Sequence, residues 1–350
     1  MATELSRSPP RIPGPAAQRG WPWIGEPEPP PRPVGDAWPR ISVVVPSFNQ
    51  GRFLEEALRS ILLQGYPHLE LLVLDGGSTD ASVEILERYD GQIDFWVSEG
   101  DEGQSDAINK GFRRASGDLL TFFGSDDVYL PGAFFDAARR WSENPGCGAV
   151  VGAFRFLDGS SRPISEPIPP RLPGPTPTDL ALAHPSSWRL HQVATFYDRR
   201  ALDRVGRSVR RELVYVMDRE LLYRVCREFP IVTSGETYAL FRRHEDSKSV
   251  SVILPFCREM ASLHLLEPPV GEAKEARRRR RRFARHWQAR GFLKLAQARG
   301  PSLKASAALL SALRYDPGLL FRRGYWHRWW TTMSKALSSS ADAVSGAPSS

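Results

Sequence analysis

Ile41-Ser-Val-Val-Val45-Pro46-Ser-Phe-Asn-Gln-Gly51 is the stretch on which the fold turns. A β-branched run ends at a proline, a polar turn follows, and from Phe53 to Leu63 apolar residues recur at helical spacing. The reading is strand, turn, helix. The unit recurs downstream: Leu69 to Leu74 is a second apolar strand, Asp75-Gly-Gly-Ser-Thr-Asp80 a polar turn, and Ala81 to Arg88 a helix capped by Thr79 or Asp80. Ile93 to Val97 and Asp118 to Phe123 read as two more strands, with a helix around Asp106 to Arg114 between them. Such alternation predicts an α/β domain whose mostly parallel central sheet is flanked by helices. Ligands on these sheets bind outside the carboxyl ends of the strands.

Outward from this core, the 350 residues allow one sizeable domain with additions. Residues 1–38 are rich in proline, including Pro29, Pro30 and Pro31, and are expected to stay extended or disordered. The α/β domain is drawn over 39–254, a basic helical region over 255–337 and a disordered tail over 338–350. Pro163 to Pro175 reads as a mobile flap beside a site. Beyond it, Val193 to Tyr197 is strand-like, and Leu213 to Val225 is helical with Val214, Met217, Leu221 and Val225 on the core face. Cys147, Cys226 and Cys257 form no CxxC pair and read as buried thiols in a reducing compartment. No signal-peptide pattern and no apolar run of about 18 residues is present, so the expectation is a cytoplasmic protein, soluble or peripherally attached to the inner face of the membrane. The net charge of +7 is concentrated in Arg277 to Arg282 and the aromatic basic tail, which invites a negatively charged partner.

Five places carry candidate chemistry. The turn Pro46 to Gly51 opens a helix, so its backbone N–H groups can face an anion; an ordinary strand-to-helix turn has the same form. It lacks the GxGxxG and GxxxxGK[ST] patterns, which argues against dehydrogenases and P-loop proteins. Asp75 ends a strand with two glycines behind it, where a carboxylate can accept from a base N–H or a ribose hydroxyl. Asp126 and Asp127 follow an aromatic strand, and adjacent acids there repel one another unless a cation of the Mg²⁺ or Mn²⁺ kind neutralises them; a solvated acidic turn is the alternative. Asp218 borders an apolar helical stripe, where either a pocket-facing acid or a surface charge fits. Arg243-His244 and the hydroxyls after them suit a diphosphate or a metal.

In order, these segments resemble family 2 glycosyltransferases over roughly residues 41 to 250: Val43 to Asn49, Asp75 to Asp80, Glu99 to Gly111 with Asp106-Ala-Ile-Asn-Lys-Gly111, Ser125-Asp126-Asp127, and Tyr215 to Leu222 with Met217-Asp218. The resemblance implies a GT-A nucleotide-diphospho-sugar transferase fold with a helical C-terminal extension. It implies that Asp75 contacts the nucleoside, with Pro46, Ser47, Asn49, Asp106, Asn109 and Lys110 also on the donor side. Asp127, helped by Asp126, is expected to hold Mn²⁺ or Mg²⁺ under the diphosphate, and His244 to complete the metal shell. Asp218 matches the general base, and His191 and Gln192 resemble pocket residues near the donor sugar or acceptor. Three positions depart from the family pattern: Asp75-Gly76 replaces an acidic pair, Met217 a glutamate, and Ile108 an arginine.

The implied activity is inverting transfer of a hexosyl or N-acetylhexosaminyl group from a nucleoside-diphosphate sugar, by family habit a UDP-sugar, to a hydroxyl of a glycan or lipid-linked acceptor. A sugar-nucleotide-binding scaffold and a nucleotidyltransferase are the rivals. The basic tail from Glu272, with Trp287, Trp326, Trp329 and Trp330, suits an anionic membrane surface; a helix packed on the catalytic domain with a solvated arginine face is the competing reading. Arginines among aromatics also suit nucleic acid, but no recognised nucleic-acid fold accompanies them.

Overall fold

The computed structural model describes residues 20–23, 38–172, 189–244, 253–263, 274–298, 303–317 and 319. The chain divides into two compact units, 1–244 and 245–350, where the sequence reading drew the boundary after residue 254.

The first unit is built on eight strands: β1 (Ile41–Ser47), β2 (Leu69–Asp75), β3 (Phe95–Ser98), β4 (Leu119–Phe122), β5 (Val128–Tyr129), β6 (Ala149–Asp158), β7 (Thr195–Asp198) and β8 (Ile231–Arg243). They form one sheet in the order β3-β2-β1-β4-β7-β6-β8-β5. The β3-β2-β1-β4 half is wholly parallel, β7 runs against both β4 and β6, and β5 runs against β8. The parallel half is what the strand–helix alternation predicts, and every residue of β1 is buried, as a strand covered on both faces requires.

The helices of this unit are α1 (Gly51–Leu62), α2 (Ser82–Arg88), α3 (Gln104–Arg114), α4 (Ala133–Glu143), α5 (Arg199–Val205) and α6 (Met217–Glu228). Helix α3 lies so close to β1 and β2 that a Cβ on Gly111 would stand 2.3 Å from Val44 Cγ1 and 3.0 Å from Leu74 Cδ2. Asp80 serves two helix starts at once, as its Oδ2 accepts from Gly51 N (2.8 Å) and its Oδ1 from Ser82 N (3.0 Å). Burial pushes its pKa upward, but hydrogen bonds from Ser82 and Gly51 outweigh that and hold it below the usual range.

Several boundaries differ from the sequence reading. β3 starts at Phe95 rather than Ile93, and Gln192–Ala194 form a 3-10 turn before β7 begins at Thr195. Helix α6 starts only at Met217, leaving Val214 exposed rather than on the core face. Asp218 and Glu220 lie in its first turn, where acids complement the helix dipole. Within the expected flap, Ile168 bridges Phe154 and packs on the core, because its backbone exchanges two hydrogen bonds with β6. Within the expected disordered N-terminus, Gly20 to Trp23 dock on the domain. Trp21 Nε1 donates to Tyr129 O at 2.7 Å, and Arg59 lies over the Trp23 ring at 5.3 Å.

The second unit contains α7 (Ile253–Leu263), α8 (Lys274–Ala298) and α9 (Leu303–Tyr315). A Cβ on Gly291 of α8 would meet Cys257 Cβ at 2.9 Å and Leu254 Cδ1 at 3.0 Å, so α7 side chains pack directly on the α8 backbone there. An alanine seam of Ala289, Ala296, Ala305, Ala308 and Ala312 joins α8 to α9. Along α8, Lys274, Arg277, Arg278, Arg281, Arg282 and Arg285 are exposed at three- and four-residue spacing, while Arg280, Ala284, Trp287 and Gly291 are buried. These six exposed residues form a basic stripe on one helix face. Trp326, Trp329 and Trp330 lie outside the described residues. All three cysteines are free and buried, and burial pushes the Cys147 and Cys257 thiols up to about 11.

Candidate active site

The carboxyl ends of β1 and β2 lie in register, with Ser47 opposite Asp75, and Gly76 N donates to Ser47 O at 2.8 Å. Asp75 is buried and accepts from Ser78 N (2.8 Å), Ser78 Oγ (2.6 Å) and Ser98 Oγ (2.6 Å). Three donors fix its rotamer at the sheet edge. Asn49, in the left-handed region at φ 51°, joins the two turns: its side-chain oxygen accepts from Thr79 N (2.9 Å) and its N–H donates to Ser78 Oγ (2.7 Å). Pro46 is the buried penultimate residue of β1.

Two further features of this corner bear on a ligand, one at the expected Ser47 and one at Phe48, which the sequence reading did not single out. Ser47 Oγ is buried without a hydrogen-bond partner, a costly state that a ligand hydroxyl or phosphate would relieve. The Phe48 ring beside it is 59% exposed, offering a flat apolar face next to Asp75. Asp101 also lies here, since a Cβ on Gly76 would stand 2.9 Å from its Oδ2.

The turn Gly124 to Asp127 is bracketed by Phe123 and Tyr129, whose rings stack at 3.8 Å in a cluster with Phe134 and Phe196. This aromatic floor holds the acids at the edge of the sheet. Asp127 is buried, and its Oδ1 accepts from Arg242 N at 2.8 Å. Asp126 Oδ2 lies 3.0 Å from His244 Nε2 at the end of β8. A Cβ on Gly124 would stand 2.6 Å from Asp127 Oδ2 and 2.8 Å from Asp126 Oδ1, so these two oxygens converge on one spot. Burial, then the Asp126 charge, drives the Asp127 pKa well up, and a cation beside it would offset both costs. Among the described residues no three His, Cys, Asp or Glu side chains form a ready-made metal cage. Two hard carboxylate oxygens with a histidine behind them fit a cation of the Mg²⁺ or Mn²⁺ kind, which commonly takes the rest of its ligands from substrate phosphates and water.

Asp218 stands half-buried at the start of α6. Desolvation raises its pKa above the usual carboxylate range, partly offset by the adjacent Arg219 charge. Beneath it, the Tyr197 hydroxyl is buried without a hydrogen-bond partner. His191 packs between the rings of Phe154 (4.4 Å) and Phe241 (4.5 Å), and burial followed by the Arg219 charge lowers its pKa to about 3. It is therefore neutral at pH 7. The Gln192 side-chain amide donates to the carbonyl of Phe122, tying β7's approach to the end of β4.

The α3 residues have protein partners. Asp106 pairs with Arg211 (2.6 Å) and Lys110 (3.4 Å), and Lys110 also reaches Glu99 (3.1 Å). Asn109 is buried, with its amide donating to Val209 O (2.9 Å) and accepting from Val209 N (2.8 Å). These contacts hold the segment that leads into α6 and Asp218.

The fold is that of the GT-A glycosyltransferases. Staphylococcus aureus TarS 1-349 in complex with UDP-GlcNAc superposes with a TM-score of 0.56 at 17% identity, covering 79% of this chain and 81% of that one. The mannosyltransferase PcManGT from Pyrobaculum calidifontis, in complex with GDP-Man and Mn²⁺, gives 0.51 at 21% identity over 89% of both chains. Residues 42–206 match Glycosyl transferase family 2, and the domain they form is a member of that family. Among curated relatives, the Bacillus subtilis putative teichuronic acid biosynthesis glycosyltransferase TuaG is 37% identical over 94 residues, 26% of this chain and 37% of that protein. The Campylobacter jejuni GalNAc(5)-diNAcBac-PP-undecaprenol beta-1,3-glucosyltransferase is 34% identical over 109 residues, 30% of this chain and 35% of that protein. The chain thus matches little more than a third of the length of these relatives.

Proposed function

We propose that the protein is an inverting glycosyltransferase that moves a hexosyl or N-acetylhexosaminyl group from a nucleoside-diphosphate sugar, with UDP as the first nucleotide to test, to a hydroxyl acceptor. The observation that carries the proposal is the convergence of the free Asp126 and Asp127 oxygens at Gly124, on the same sheet edge as the Ser47, Phe48 and Asp75 corner. The corner suits the nucleoside: the Phe48 face stacks a base, and Asp75 and the Ser47 hydroxyl address its polar edge and ribose. A divalent cation held by Asp127, with Asp126 and His244, would neutralise charge on the leaving diphosphate, a Lewis-acid contribution of several kcal/mol.

The chain's own base is Asp218. It takes the acceptor O–H proton as that oxygen attacks the anomeric carbon, and the bonding pair of the sugar–phosphate bond leaves with the nucleoside diphosphate. Attack opposite the departing group inverts the anomeric configuration. Desolvation favours this base, since a carboxylate with a raised pKa accepts a proton more readily.

A lipid-linked or glycan acceptor fits the functions printed for the B. subtilis and C. jejuni relatives. The basic stripe of α8 suits peripheral attachment to an anionic inner leaflet, each basic residue near the surface contributing about 1 kcal/mol. No described helix is long and apolar enough to cross a membrane. The test is product identity from UDP-GlcNAc, UDP-glucose and GDP-mannose with Mn²⁺ and a polyprenyl-diphosphate acceptor. Free nucleoside diphosphate with an inverted glycoside supports the proposal. Pyrophosphate release indicates nucleotidyl transfer, and binding without turnover indicates a scaffold.

A further inference from the structure

Arg242 is 1% exposed, and each of its donor groups has a partner. Its backbone N–H donates to Asp127 Oδ1 (2.8 Å) and its Nε to the carbonyl of Asp126 (2.6 Å). Nη1 donates to Asp158 O (3.1 Å) and Ser161 Oγ (2.9 Å), and Nη2 to Glu56 Oε2 (2.7 Å). Ser161 Oγ in turn donates to Glu56 Oε2 at 2.8 Å, and the guanidinium lies 4.5 Å from the Phe53 ring centroid. One side chain thus connects α1, the acidic turn and the hairpin at the end of β6.

Taking a full positive charge out of water costs several kcal/mol unless it is paired, and a cation beside a cation site is unfavourable on charge alone. Glu56 resolves both difficulties. Its pair with Arg242 is neutral, so Asp126 and Asp127 keep a net charge matched to one divalent ion. Arg242 meets the turn twice, through its guanidinium on the Asp126 carbonyl and through its backbone N–H on Asp127 Oδ1, and both contacts leave the converging oxygens at Gly124 untouched.

From this geometry we infer that Arg242 is a positioning residue, which with Glu56 locks the Asp126–Asp127 turn in its cation-binding shape. The inference rests on the cation role proposed for those acids and adds the residue pair that sets their geometry. A planar fork of fixed donors does this work, so lysine is no substitute.

Charge and positioning predict opposite signs. Loss of the Arg242 charge by itself would tighten cation binding, whereas loss of the lock weakens it. The measurement is Mn²⁺ affinity by electron paramagnetic resonance, without nucleotide, on the full chain. Arg242→Gln and Arg242→Lys are expected to bind Mn²⁺ about 10- to 100-fold more weakly, the usual loss when an outer partner of a metal ligand is removed. Their turnover should recover toward the wild-type kcat at raised Mn²⁺, which a general loss of structure would not allow. Unchanged or tighter Mn²⁺ binding by either folded variant overturns the inference. If neither folds, Ser161→Ala, which trims the anchor from an exposed hairpin, carries the test: weaker binding supports the lock and wild-type affinity overturns it. Wild type and Asp127→Ala separate the two claims, because failure of wild type to bind Mn²⁺ defeats the cation reading itself. Wild-type binding lost in Asp127→Ala but kept in the Arg242 variants defeats only the positioning role.

Discussion

His244 Nε2 lies 3.0 Å from Asp126 Oδ2, across 118 positions of sequence. The contact places the end of β8 over the acidic turn that follows β4, so the last strand of the sheet closes the site begun by the first four. It also orients the Asp126 carboxylate so that its other oxygen faces Gly124 beside Asp127 Oδ2.

A methyl group at Gly124 would occupy the spot on which the Asp126 and Asp127 oxygens converge. Gly124→Ala puts a carbon 2.6 Å from Asp127 Oδ2 and 2.8 Å from Asp126 Oδ1. Mn²⁺ titration by electron paramagnetic resonance is expected to show affinity reduced at least about tenfold, with the far-UV circular dichroism of wild type retained.

Asp218→Asn separates catalysis from stability. Turnover is expected to fall by about 10²- to 10⁴-fold, the usual contribution of a placed base. Because the folded pKa of Asp218 is raised, the native state binds more protons than the unfolded one between their two pKa values, and stability falls as pH rises through that window. Replacing the ionised acid with an amide should therefore raise Tm at pH 7, measured by scanning calorimetry; a lower Tm would count against a desolvated carboxylate.

The same shift fixes the sign of the acid limb of activity. The base works deprotonated, so kcat rises with pH through a pKa above the usual carboxylate range. A pH–rate profile at saturating Mn²⁺ should show this limb in wild type and lose it in Asp218→Asn.

Asn109→Ala removes both hydrogen bonds to Val209 and leaves a buried N–H and C=O unpaired. Urea denaturation is expected to show a loss of about 2 to 3 kcal/mol. Mn²⁺ affinity should stay at the wild-type value, since the residue supports the approach to α6 and not the acidic turn.

Charge reversal at Arg277, Arg278, Arg281 and Arg282 tests the stripe on α8. Sedimentation with vesicles rich in phosphatidylglycerol should fall at least about tenfold, with no change on neutral vesicles. Unaltered sedimentation would leave the stripe as a solvated helix face.

The sequence exposed the parallel half of the sheet because each unit there is local: a β-branched run, a polar turn and an apolar-periodic helix. The same logic put Asp75, Asp126 and Asp127 at strand ends. What it missed depends on long-range pairing. Asn109 reads as part of a donor-side motif, yet its amide bonds a backbone 100 positions away. Val214 fits the helical period, yet α6 starts three residues later. At the end of β8 attention fell on Arg243 and His244, whereas Arg242 is the buried arginine. Strand parity was the available signal, as Arg242 alternates onto the face of Leu240 and His244 while Arg243 turns out over Phe156 at 4.8 Å. Trp21 carried no periodic signal at all, because a lone anchor in a proline-rich stretch has no neighbours to repeat it.

The decisive measurement is release of free nucleoside diphosphate from UDP-sugars and GDP-mannose by wild type and Asp127→Ala, with Mn²⁺ and with chelator. Release that requires both Mn²⁺ and Asp127, with the sugar recovered on the acceptor in inverted configuration, is the predicted result. Sugar transfer that proceeds equally with chelator, or equally in Asp127→Ala, would contradict it.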